Sequence, residues 1–268
     1  MDQVSNIYID LTREFNQGRL RAVICSGQAV VLHRLAIMSK DGDWILKEDD
    51  ETLEHVRQVL SIHGACYRFG APLDIRWLRN GWSSHFEFKS GKLRIRTDFF
   101  TRPPRLTPDE LNRMWSDQEE NAIPFVSLRL LALLKMSNRE KDYVVIGEIA
   151  RRMTSLRDQI LFSRSARDLI RLREEHPDRF KEMEEQRPAL HFAVQGWERL
   201  EEELDRERRA AIHANERRLE AYLRASESWR RLWPQVAGKI ENLPLDLAHL
   251  RMVEMAEAVL PWKLEDTV

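Results

Sequence analysis

A chain of 268 residues, 43% apolar and 32% charged, is long enough for two modest domains and apolar enough to fill a core, which excludes wholesale disorder. Forty-three basic and 44 acidic residues leave a net charge of −1, so no global positive field holds nucleic acid, and any such contact needs a local patch. Two cysteines, Cys25 and Cys66, cannot make a disulfide framework and fit a reducing, cytoplasmic setting.

The first residues, with Asp2 and Asp10 and no basic-then-apolar layout, do not read as a signal peptide. Apolar runs such as Ala29–Leu32 are far shorter than a bilayer span, so no membrane association is expected. Val4, Ile7, Tyr8, Leu11 and Phe15 lie on one helical face, with Gly18 suited to the stop. Ala22–Cys25 reads as a buried strand feeding the turn Ser26-Gly27, and residues 28–35 as a helix. A short strand is expected over Asp43–Lys47, and a helix capped by Asp50 runs to about His63, where Gly64 stops it. Three further strands are expected: Asp74–Leu78, His85–Lys89 and Leu93–Phe99, with Ser90-Gly91 turning a hairpin between the last two. In the last, Arg94, Arg96 and Asp98 alternate with Leu93, Ile95 and Thr97. Thr107-Pro108-Asp109-Glu110 has the composition of a helix start.

Beyond about residue 125 the text is helical throughout. Its clearest element runs from Gly196 to Trp233, closed by Pro234, with a stripe from Trp197 to Trp229 and the i,i+4 pairs Glu202–Arg206 and Asp205–Arg209. The expected fold class is therefore α+β: residues 1–125 a mixed sheet with helices on one side, and residues 126–268 a helical C-terminal region.

Asp41 and Asp43 share a strand face at i and i+2, and Asp98 on a neighbouring strand would make a cluster of three carboxylates. Such mutually repelling groups call for a hard divalent cation, Mg²⁺ above all. Paired ions of that kind hold a triphosphate and activate an attacking hydroxyl. Ser26-Gly27 before a helix lets backbone approach a phosphate. Each piece also has a plain reading: a solvated turn at Asp41-Gly42-Asp43, a strand-to-helix corner at Ser26-Gly27, an edge-strand charge at Asp98. Asp74 is the substitute for Asp98 under another strand order. Arg94 and Arg96 either steady a triphosphate or pair with the carboxylates. Trp44, Trp77 and Trp197 are expected in the core, and Trp82 as a packed loop anchor that could instead stack a base.

Ser26-Gly27-Gln28-Ala29, a helix with a late His33, then Asp41-Gly42-Asp43 and apolar residues, resembles the signature of the DNA polymerase β-type nucleotidyltransferase superfamily, in particular its minimal and abortive-infection toxin-like bacterial branches. Lys135 followed by Arg139-Glu140-Lys141-Asp142 resembles the block after the catalytic domain in those branches. The resemblance covers roughly residues 20–152. It implies transfer of a nucleoside monophosphate from an NTP, such as ATP, to an acceptor hydroxyl on RNA, protein or a small molecule. Asp41, Asp43 and Asp98 would be metal-ligating and catalytic, and Ser26, Gly27, Lys135 and Lys141 would contact the nucleotide. Two alternatives stand beside it: a nucleotide-binding or structural protein of the same fold with altered catalysis, and a toxin acting on tRNA or protein with an antitoxin partner. Three departures are visible: Ser26 replaces a Gly, Gly42 an apolar residue, and Ile37 and Ser39 the upstream Arg and Thr.

Overall fold

A computed structural model describes residues 6–264. Chain order is α1 (Ile7–Phe15), β1 (Ala22–Cys25), α2 (Ser26–Leu32), β2 (Asp41–Leu46), α3 (Asp50–Ile62), β3 (Cys66–Tyr67), α4 (Ile75–Leu78), β4 (Ser84–Ser90), β5 (Leu93–Phe100) and α5 (Pro108–Gln118). Helices follow: α6 (Leu128–Lys135), α7 (Glu140–Arg152), α8 (Leu156–Phe162), α9 (Ala166–Glu175), α10 (Pro177–Glu184), a 3-10 stretch Pro188–Gln195, α11 (Trp197–Ala225), α12 (Glu227–Ile240) and α13 (Leu245–Glu257). The class is α+β, with a helical C-terminal region. The chain divides into two compact units, Met1–Val126 with Glu220–Val268, and Ser127–Leu219.

The first unit is built on a five-stranded mixed sheet in the order β1-β2-β5-β4-β3. Only β2 and β5 run parallel; the other pairs are antiparallel. Registered partners share a face, which sorts the sheet cleanly. One face carries Ile24, Trp44, Phe99, Thr97, Phe86 and Phe88, all buried. α1 covers it: Phe15 stands edge-on to Trp44 at 5.3 Å and to Phe99 at 5.7 Å, and Trp44 stacks on Phe99 at 5.4 Å. The Trp44 indole donates to Thr12 Oγ1 at 2.9 Å, so its polar edge is satisfied inside the core. α3 covers the same face further on, with His63 against Phe88 at 5.2 Å. The opposite face carries Asp41, Asp43, Arg96, Asp98, His85 and Glu87. The outer edge of β1 is closed by backbone bonds from Ile24 to Pro124 and from Val126 to Ile24, which removes a bare edge.

Several expectations change. Val4 lies outside the described residues. Asp49, not Asp50, caps α3, its Oδ1 accepting from Thr52 N at 2.7 Å while Arg19 donates to both of its oxygens. Asp74–Leu78 is a helical turn, not a strand: Asp74 accepts from Arg76 N at 2.9 Å, and that cap turns the backbone. Four residues are too few for apolar alternation to separate the two periods. The long final helix is two helices. The Ser226 hydroxyl donates to Leu223 O at 3.2 Å in a fully buried position where α11 ends, while Pro234 sits inside α12 without ending it. Arg206 pairs with Glu203 rather than Glu202, whereas Asp205–Arg209 forms as expected. Trp44 and Trp77 are fully buried and Trp82 nearly so, but Trp197 is 57% exposed, because it opens α11 directly after Gly196.

The expected helical region 126–268 is shared between the units. Its last helices belong with the sheet: Trp229 Nε1 donates to Gly70 O at 2.8 Å, Trp77 Nε1 to Leu260 O at 3.2 Å, and Tyr67 Oη meets His249 Nδ1 at 2.7 Å. The second unit has its own core of Ile160, Leu169, Leu172, Phe180, Leu190 and Leu200. Beside it the buried Arg187 shares Glu207 with Arg164, and burial pushes the Arg187 guanidinium down to about 10.

His249 generates a testable pH dependence. Leu73 N donates to the Tyr67 hydroxyl, so that hydroxyl is free to donate onward to His249 Nδ1, which must then be an unprotonated acceptor. Burial, helped by the nearby Arg57 charge, lowers its pKa to about 4. A His held neutral in the fold binds fewer protons than in the unfolded chain. Its contribution is therefore present above the unfolded pKa of about 6.5 and is lost as pH falls toward 4. Urea unfolding of wild type should lose stability on the order of 3 kcal/mol across that window through this group, and His249→Gln should flatten the slope between pH 6.5 and 4.

Candidate active site on the polar face of the sheet

Two registered rows build the site. Cys25, Asp43, Asp98 and His85 lie side by side across β1, β2, β5 and β4; Asp41, Arg96, Glu87 and Cys66 form the next row across β2, β5, β4 and β3. Asp41 and Asp43 thus flank Gly42 on one strand, and Asp98 stands opposite Asp43 on the parallel neighbour. The short strand begins two residues earlier than expected, which brings Asp41 into it.

Gly42 does not loosen the strand: its pairing to Thr97 continues the ladder unbroken. A Cβ there would lie 2.4 Å from the Trp44 indole and 2.5 Å from the Tyr8 ring. Two aromatic rings therefore fill the place an apolar side chain would take. Tyr8 also donates its hydroxyl to Lys40 O at 2.6 Å, pinning the entry to β2. Burial, and then the Asp41 charge, raise the Tyr8 phenol above its ordinary value, which keeps it a donor.

Across the sheet end, Ser26 opens α2 at φ +50. A left-handed conformation suits glycine and is strained for serine. Gly27 lies close to Ser39: a Cβ there would lie 2.2 Å from Ser39 Oγ, so that hydroxyl would have to rotate away. Gln28 Nε2 donates to Ser39 O and Asp41 O at 3.1 and 3.3 Å, tying the start of α2 to the start of β2.

The three carboxylates differ in company. Asp41 Oδ1 is buried without a hydrogen-bond partner, and Arg96 Nη1 is 3.9 Å away. Asp98 is not uncompensated: Oδ1 accepts from Arg68 Nη1 at 3.2 Å and from His85 Nδ1 at 2.7 Å. Among the described residues, no group of three or more His, Cys, Asp and Glu is arranged to hold a metal ion. A pair of carboxylates is a different matter. Asp41 and Asp43 offer hard oxygen donors from one strand, and a buried oxygen lacking any donor is costly unless something charged or polar meets it.

Arg94 turns away to a bidentate pair with Glu87, so of the two alternating arginines only Arg96 approaches an aspartate of the site. Arg102 pairs likewise with Glu48. Asp74 is committed to capping α4; burial works against its charge, but its bonds from Arg76 hold its pKa below the usual carboxylate value. Trp82 packs beside Tyr222. In the second unit, Lys135 Nζ lies 3.4 Å from Asp142, which also accepts from Ser137 and Arg139, and Lys141 is exposed on α7.

Sequence reasoning missed His85 and Arg68. His85 was within reach: the two-residue turn Gly91-Lys92 with Gly91 at φ +58 sets the hairpin register, and counting back places His85 opposite Asp98. No comparable signal marks Arg68, which extends past the two-residue β3.

No protein-family model and no curated protein matches the chain. Among solved structures it is similar to a putative nucleotidyltransferase from Helicobacter pylori, at TM-score 0.40 and 10% identity over 81% of this chain and 98% of that one. It is also similar to JHP933 from Helicobacter pylori, at TM-score 0.36 and 12% identity over 86% of this chain and all of that one. Likeness at this level assigns no residue a role.

Two substitutions test the backbone of the site. Ser26→Gly should raise unfolding stability by about 1 kcal/mol through relief of the left-handed strain. Gly42→Ala should lower it by about 1–3 kcal/mol, because neither ring can yield without repacking. Both are read from urea midpoints. A Gly42→Ala protein as stable as wild type would show that Tyr8 and Trp44 do not define the position.

Proposed function

We propose that the chain is a divalent-metal-dependent nucleotidyltransferase that moves a nucleoside monophosphate from an NTP to an acceptor hydroxyl and releases pyrophosphate. The observation that carries this reading is the pairing of Asp43 with Asp98 across β2 and β5 while Asp41, two residues back on the same face, keeps a buried oxygen without a donor. Asp41 and Asp43 would hold Mg²⁺, which when bound neutralises the phosphates and polarises the α-phosphorus. Asp98 would complete the ligand set through the oxygen its two partners leave and accept the hydroxyl proton. The backbone at Ser26-Gly27, where Gly27 adds no side chain beside Ser39, would cradle the phosphates. The site as proposed is built from the first unit alone.

A competing reading is a nucleotide-binding protein of this fold without turnover. It is favoured by Arg68, whose guanidinium already sits 3.2 Å from Asp98 and supplies positive charge that a cation would otherwise bring. No described helix is long and apolar enough to cross a membrane. A tRNA or protein acceptor and an antitoxin partner remain subordinate forms of the first reading.

Calorimetric titration of Mg²⁺ with each NTP into wild type and Asp41→Ala, followed by incorporation of α-labelled nucleotide, separates these readings. Metal-dependent binding lost in the variant, together with incorporation by wild type, is the expected result. Metal-dependent binding with no incorporation favours the competing reading. Equal behaviour of the two proteins would remove Asp41 from the site and the proposed reaction with it.

A further inference from the structure

His85 is held on three sides. Nδ1 is 2.7 Å from Asp98 Oδ1, and Nε2 is 2.9 Å from Ser83 Oγ. Against the Cδ2 edge of the ring, a Cβ on Gly70 would lie 2.4 Å from His85 Cδ2, so only glycine leaves room for it. Gly70 is itself fixed, its carbonyl accepting from the buried Trp229 indole, and the next residue, Ala71, donates its N–H to Ser83 O at 2.9 Å.

The directions of these bonds follow from chemistry. An ionised carboxylate only accepts, so His85 Nδ1 carries the proton that faces Asp98. In the neutral ring Nε2 then accepts, and the Ser83 hydroxyl is its donor. A chain runs from Ser83 through His85 to Asp98, with each member oriented by the next. Both His85 and Arg68 bond Oδ1, so Oδ2 is the oxygen they leave for a cation or a hydroxyl. Arg68 alone would be a looser clamp: its Nε lies 3.7 Å from Glu87, and it comes from the chain beyond the two-residue edge strand. The imidazole, backed by Gly70 at its Cδ2 edge and held by two hydrogen bonds, is the stiffer partner.

We infer that His85 is a positioning residue for Asp98, fixing which carboxylate oxygen faces the metal and the acceptor hydroxyl, and that Ser83 and Gly70 hold His85 in that role. This rests on the nucleotidyltransferase reading of Asp98. Outer partners of ligating groups commonly contribute about 10- to 100-fold in metal affinity or activity when removed. His85 itself touches neither nucleotide nor metal in this scheme, so its loss should appear in kcat and metal affinity rather than in KM for the NTP.

The test compares His85→Ala, His85→Asn, His85→Gln and Ser83→Ala with wild type, using direct Mn²⁺ binding and steady-state nucleotide incorporation. Asn keeps a donor near the Nδ1 position; Gln places its donor near Nε2. His85→Ala and His85→Gln should lose about 10- to 100-fold in kcat and bind Mn²⁺ correspondingly more weakly, with NTP KM unchanged. His85→Asn should stay within a few-fold of wild type, and Ser83→Ala should fall between. If His85→Ala does not fold, the Asn and Gln variants decide alone, and equal loss in both overturns the inference. An active wild type with an unimpaired His85→Ala overturns the inference and leaves the reaction standing. A wild type that neither binds Mn²⁺ nor incorporates nucleotide overturns the reaction and the inference together.

Discussion

The parallel pairing of β2 with β5 is the constraint on which the rest of the first unit depends. Among the described strands it is the one parallel pair, and its register sets Asp43 against Asp98 and Trp44 against Phe99 in successive pairs. Because side chains alternate with period two, a slip of one residue would move the aspartates into the aromatic core and the aromatic rings out to solvent. The Trp44–Phe99 stack and the Phe15 ring edge-on to both therefore hold the carboxylates in place from the far side of the sheet.

The same logic explains two residues that the sequence carries at the site. Gly42 between the two aspartates is a consequence of Trp44 two residues on: the indole folds back with Tyr8 over the Gly42 Cα, and the strand stays paired because the rings supply the packing. Ser26 adopts a left-handed backbone and carries the strain of doing so. Ile37 is 98% exposed. That position therefore offers neither packing nor a phosphate contact.

Charge on the polar face is arranged so that the aspartates are not equivalent. Asp98 is doubly hydrogen-bonded at one oxygen, whereas Asp41 has a buried oxygen with only a distant arginine. Asp98 is thus oriented by Arg68 and His85 through one oxygen, whereas Asp41 meets only Arg96.

Much was legible in the sequence by itself. The α+β class, the alternation that puts Arg96 and Asp98 on one face of β5 with Ile95 and Thr97 on the other, a hairpin joining β4 to β5 (its turn one residue later than expected, at Gly91-Lys92), and the i, i+2 relation of Asp41 and Asp43 all follow from local periodicity and turn chemistry, which need only near neighbours. The order of strands, the return of α12 and α13 to the sheet, the helical turn at Asp74, the break at Ser226 and the partners of Asp98 were decided by tertiary structure. Each depends on groups far apart in the chain, such as Trp229 with Gly70 or Arg68 with Asp98, or on a side-chain bond that overrides the local pattern. Periodicity says which way a side chain points. Only the packed structure says what it meets there.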